Sequence, residues 1–208
     1  MDIPLEITWP AAILCLFLIW FPSWVLYTKK QKNILFDLYH APDGRLFCSF
    51  LNWQNALDLL RAAVGVYLLL YVVLPENALT LSPKDEAFPW FVGILFGVLG
   101  IGVFLQTFLR FEGYFTPNYP FHYQLGGCLI LMDPWAGLFA LVFASSLVKA
   151  FRHYEWFAPG FVVGAVGYAY LFGGLNLLLG AVVLLQGLPL LLALLVRDHL
   201  RLLRFRSA

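Results

Sequence analysis

The ionisable residues set within apolar sequence are Asp133, Asp58 and Arg61. Asp133 lies inside the stretch 126–144, which is apolar enough to enter a bilayer, and Pro134 follows it. A carboxylate in hydrocarbon is costly, so by default it is a candidate for binding a proton or cation, or for pairing with a base. The alternative is structural. Asp accepts hydrogen bonds from the first free N–H groups of a helix, and Pro at the first helical position has no N–H to satisfy. Capping accounts for both residues and is the favoured reading. It predicts that one helix ends near Met132 and another begins at Pro134. Asp58 and Arg61 are three apart and share a helix face. They could form a buried pair lining a polar pocket. Their place in the first turns of an apolar run instead favours a boundary position, with Arg61 reaching to the surface.

The remaining reactive side chains form no recognisable constellation. The four histidines (His40, His122, His153 and His199) lie outside the middle of the apolar runs, and no two have helical ligand spacing. The three cysteines (Cys15, Cys48 and Cys128) are far apart and contain no CxxC pair, so the default is a reduced, buried thiol. Phosphate-binding loops, HExxH, GxSxG and dinucleotide fingerprints are lacking. No metal and no catalytic residue is expected, and the sequence names no cofactor.

The firmest pattern is one of small residues. Gly93 with Gly97, Ala136 with Ala140 and Ala144, and Gly160 with Gly164 all repeat at four-residue spacing. Such strips let helices approach closely within a membrane. They can serve the chain's own bundle, which is the favoured use, or partner subunits.

Composition decides the class of element that must carry these residues. Charged residues are 12% of the 208, against about 25% in a soluble domain, and mean hydropathy is +0.81. A water-soluble protein is excluded on these grounds, and a net charge of +1 offers nothing to nucleic acid. The length leaves room for five or six spans of about 20 residues. Aromatic residues gather at segment ends, among them Trp20, Trp24, Tyr27, Trp53, Trp90, Tyr114, Tyr119, Tyr123, Tyr154 and Trp156. An interfacial belt explains them better than a pigment, quinone or lipid pocket.

Along the chain, apolar runs cover residues 10–27, 56–74 and 89–109, then the broken stretch up to Lys149, then 157–196. The last run would be about 60 Å long as one helix, twice the hydrocarbon thickness, so it must fold. Gly173-Gly174 before Asn176 is the best turn signal and Gln186-Gly187-Leu188-Pro189 the second. Residues 28–55 form the longest polar connection, in which 34–39 and 46–51 read as amphipathic segments on the membrane surface. Residues 110–124 read as a connection rich in Pro, Tyr and Phe.

Lysines and arginines choose the topology. Lys29, Lys30 and Lys32, and the tail with Arg197, Arg201, Arg204 and Arg206, are the two densest basic clusters. If the Asp133 segment dips in and returns, every basic residue in a loop or tail except Lys84 falls on one side. That arrangement is preferred over five ordinary spans followed by a surface helix, and over six crossings.

The expectation is therefore an all-α polytopic integral membrane protein, a single transmembrane helical domain over residues 1–208. It has six hydrophobic segments and five or six membrane-crossing helices, the one containing Asp133-Pro134 broken or re-entrant. The N-terminus lies outside and the C-terminus in the cytoplasm, in an inner or plasma membrane. The expected partners are the lipid bilayer and other membrane subunits, with no nucleic acid. The expected function is a non-catalytic scaffold, assembly or accessory subunit of a larger complex. The alternative is a small transporter, channel or lipophile-binding protein that uses Asp133, Asp58 and Arg61.

Overall fold

The structure, a computed structural model, describes residues 8–22, 33–37, 53–74, 84–111, 114–117, 119–151, 156–173, 176–196 and 201–205. Its body is helical. In chain order the helices are α1 (Trp9–Trp20), α2 (Trp53–Leu68, continued by a π-helical turn Leu69–Val73), α3 (Phe88–Thr107), α4 (Phe121–Leu131), α5 (Pro134–Phe151), α6 (Phe157–Tyr168, continued by a π-helical turn Ala169–Gly173) and α7 (Leu177–Val196). Among the described residues, three helices are long and apolar enough to cross a membrane: Ala56–Val73, Phe88–Thr107 and Pro134–Phe151. Shorter apolar helices run Trp9–Trp20, Phe157–Phe172 and Leu177–Leu192.

Two short antiparallel ribbons lie among the described residues. β1 (Asn33–Asp37) pairs with β4 (Arg201–Phe205), and β2 (Phe108–Phe111) pairs with β3 (Tyr114–Pro117). Part of the segment expected at 34–39 forms a strand of the first ribbon. The ribbon joins the basic C-terminal stretch to the connection after α1, with Asn33 opposite Phe205 and Asp37 opposite Arg201. The other segment expected at the surface, 46–51, lies outside the described residues.

Contacts between helices set the direction of each. Thr8 Oγ1, at the start of α1, donates to the carbonyl of Val72 at the end of α2, 3.3 Å away. Arg61 near the start of α2 reaches Leu18 and Phe21 at the end of α1, so the two helices are antiparallel. Gln106, at the end of α3, also reaches Phe21, so α3 runs with α1. A Cβ on Gly180 would touch Phe96 and one on Gly100 would touch Leu184, so α7 runs with α3.

The broken stretch forms a hairpin. α4 spans only 11 residues, about 17 Å. Its first residue, Phe121, packs on Phe157 at the start of α6, with ring centroids 4.7 Å apart. The last residue of α5, Phe151, stacks on Trp156 at the same separation. Since Trp156 and Phe157 are adjacent, the hairpin begins and ends at one end of the bundle. α6 then returns antiparallel along α5, with Gly160 against Ala144 and Gly164 against Ala140.

Three expectations need correction. Residues 121–124 are not part of a connection: they open α4 and are buried. The Gln186–Pro189 stretch does not turn, because α7 continues through it with Pro189 inside the helix. The first apolar run, 10–27, ends its helix at Trp20, with Pro22 beyond it. The last apolar run does divide into two helices, one described up to Gly173 and the next from Leu177, where Asn176 Oδ1 caps α7 by accepting from the N–H of Leu179 at 2.9 Å.

Candidate functional site

A helix end leaves its last carbonyls without intrahelical donors, and inside an apolar bundle no water replaces them. α1 ends in this way and has no basic residue in its last turn. Its carbonyls are met from other helices. Arg61 Nη1 donates to Leu18 O at 2.8 Å and also to Phe21 O. Gln106 Nε2 donates to Phe21 O at 2.7 Å and lies 3.4 Å from Ile19 O. The cationic guanidinium also suits the negative end of the helix dipole.

Arg61 is held by Asp58. Its Nη2 and Nε donate to Asp58 Oδ1 at 2.6 and 3.2 Å. The two side chains are 6% and 5% exposed, so the pair is interior. Arg61 therefore does not reach to the surface, although its place in the first turns of the run suggested that it would. Interhelical backbone acceptors offset the desolvation that would otherwise drive the guanidinium outward. The guanidinium carbon also lies 5.4 Å from the ring centroid of Tyr123, within cation–π range.

α4 supplies the rest of the polar interior. It fits against α2 because position 126 is glycine: a Cβ there would strike the backbone of Leu59 and stand 3.2 Å from the Ala62 methyl. Tyr119 OH donates to Gln186 Oε1, and Gln186 Nε2 lies 3.4 Å from Cys128 Sγ. Gln124 Nε2 donates to the carbonyl of Leu185. Tyr119, Gln124 and Gln186 are all buried. The Tyr123 hydroxyl and Gln124 Oε1 are buried without a hydrogen-bond partner among the described residues.

Asp133 stands apart from this cluster, exposed at the tip of the hairpin. Its Oδ1 accepts from the N–H of Trp135 at 2.9 Å and lies 3.4 Å from that of Ala136. This is a helix N-cap on α5, with Pro134 as the first helical residue.

The small residues divide into two groups. Ala136, Ala140 and Ala144 are buried, and Ala144 and Ala140 face Gly160 and Gly164 across the α5–α6 contact. Gly93 and Gly97 do not pack: a Cβ on either would meet nothing within 4 Å. The internal contact expected of that strip is absent from the described bundle, because α3 presents it outward.

Of the aromatic residues expected in a belt, Trp90 and Trp156 are exposed, as are Trp9 and Trp135. Tyr119 and Tyr123 are interior, and Trp20 is partly buried, donating Nε1 to Val98 O at 3.0 Å. His122 is buried, Cys15 and Cys128 are buried free thiols, and the other histidines and Cys48 lie outside the described residues. The glutamines are what sequence reasoning overlooked. Gln106, Gln124 and Gln186 each interrupt an apolar run, and an amide there signals an interhelical contact.

No family model, curated protein or solved structure matches this chain.

Proposed function

We propose that this chain is an integral membrane protein acting as a non-catalytic subunit, a scaffold or accessory component within a larger membrane complex. The observation that carries the reading is the use made of the polar side chains. Arg61 and Gln106 serve the open end of α1, Asp58 holds Arg61, Asp133 caps α5 and Gln124 serves a carbonyl of α7. These are structural uses of groups that a transporter or enzyme would turn toward a substrate. The outward strip at Gly93 and Gly97 supplies a face on which another transmembrane helix could approach closely.

In this reading the bundle lies across an inner or plasma membrane. The exposed Trp9, Trp90, Trp135 and Trp156 form its interfacial girdle. It takes α1, α2, α3, the broken α4–α5 stretch, α6 and α7 as the six apolar segments expected from sequence, with α4 and α5 making the excursion that returns. The start of α1 then faces outside and the end of α7 faces the cytoplasm, which keeps both dense basic clusters inside.

A second reading, a small transporter or lipophile-binding protein, draws on one feature: the buried Tyr123 hydroxyl and Gln124 Oε1 have no partner among the described residues. Native mass spectrometry after extraction in mild detergent separates the two. A stoichiometric complex with another membrane protein, lost on Gly97→Leu, is the expected result. A stable monomer that retains a quinone, pigment or lipid would reject the subunit reading in favour of the second.

A further inference from the structure

We propose that α7 is a hinged helix, with Pro189 as the pivot and Gln124 of α4 as the catch that holds it. Proline has no N–H, so within a helix it leaves the carbonyl four residues earlier without its donor, and its ring crowds the same group. Here that carbonyl belongs to Leu185, and Gln124 Nε2 donates to it from another helix. An uncompensated carbonyl in an apolar interior is costly, so the side chain of α4 restores what the sequence of α7 removes.

The two sides of the pivot are packed unequally. Before it, Ala181, Val182, Leu185 and Gln186 are at most 1% exposed, and Gln186 is tied to Tyr119 and Cys128. After it, Leu191, Leu194 and Leu195 are 53%, 75% and 70% exposed. The first part of α7 is thus fixed to the bundle by α4. The last turns form an arm, joined to the body at the residue where the helical ladder is interrupted. The arm leads toward β4, which pairs with β1. A movement of the arm would therefore be felt in the connection after α1.

Distances between spin labels, carried on unnatural amino acids so that Cys15 and Cys128 stay in place, test this in the full-length protein. One label sits at Leu60 on α2, and the other at Leu194 on the arm or Val183 on the body. In Gln124→Met the arm distance distribution should broaden while the body distribution stays narrow. Adding Pro189→Ala returns an N–H to Leu185 and should narrow the arm distribution again. Pro189→Ala alone, which keeps every polar contact, should shift the mean arm distance and leave the body distance unchanged. An arm that stays narrow in Gln124→Met, equal broadening of arm and body, or failure of Pro189→Ala to restore the arm would overturn the catch. If Gln124→Met does not fold, the single Pro189→Ala variant still decides the pivot, since an unchanged arm distance would reject it.

Discussion

Arg61 donates to the carbonyl of Phe21, 40 positions earlier in the chain, and so closes the end of a helix that has no basic residue of its own. Two helices that meet antiparallel are thereby fixed in register by one guanidinium. Asp58 supplies the charge that lets it remain inside.

The first prediction concerns this pair. Removing one member of a buried ion pair costs about 3–5 kcal/mol because the other charge is left uncompensated. Asp58→Asn should therefore destabilise strongly. Arg61→Lys should not rescue function as a clamp, because a single ammonium cannot hold the planar fork that reaches Asp58, Leu18 and Phe21 together. Thermal unfolding in detergent, followed by size-exclusion elution, measures both. Wild-type stability in Arg61→Lys would show that charge alone suffices.

The second prediction separates the two groups of small residues. At Gly160 and Gly164 an added Cβ would stand 3.1 and 2.9 Å from the Cα atoms of Ala144 and Ala140. Gly164→Leu should cost about 1–3 kcal/mol, the usual range for overpacking. Gly97→Leu should leave monomer stability unchanged, since its side chain enters open space. Parallel melting curves check this, and a destabilised Gly97→Leu monomer would place α3 against an element of the same chain.

A third prediction tests the cap on α5. Asn offers an acceptor similar to that of Asp, whereas Ala offers none. Asp133→Ala should lose about 0.5–2 kcal/mol and Asp133→Asn much less. If Asp133→Asn stays folded yet abolishes a proton-linked or transport activity, the negative charge matters and capping is not the whole role.

The fourth prediction is topological. Lys84 precedes the start of α3 and Lys149 lies in the last turn of α5, at opposite ends of the bundle, and both are exposed. Single cysteines at these positions, in an otherwise cysteine-free chain, should react with membrane-impermeant reagents from opposite faces. Reaction of both from one face would contradict the returning hairpin.

Much of the architecture was legible because apolar length and breaker residues act locally. Asp133-Pro134 marks its helix start whatever surrounds it, and Asn176 marks the start of α7 in the same way. Gln186–Pro189 misled for a physical reason: proline removes one helical hydrogen bond, and whether the helix survives depends on a donor 61 residues away in Gln124. The interior position of Asp58 and Arg61 was hidden likewise, since their acceptors belong to α1. Spacing revealed the small-residue strips but not which way they face, because α3 is apolar all round and carries no directional stripe.

The hairpin of α4 and α5 has one more consequence, for biogenesis. A segment that departs from and returns to the same end is neutral in parity. In the membrane reading proposed above, α6 and α7 acquire the same orientation whether α4 penetrates shallowly or deeply, or is threaded late. On that reading, the machinery that inserts the chain need not resolve the fate of Asp133 before committing the helices that follow it.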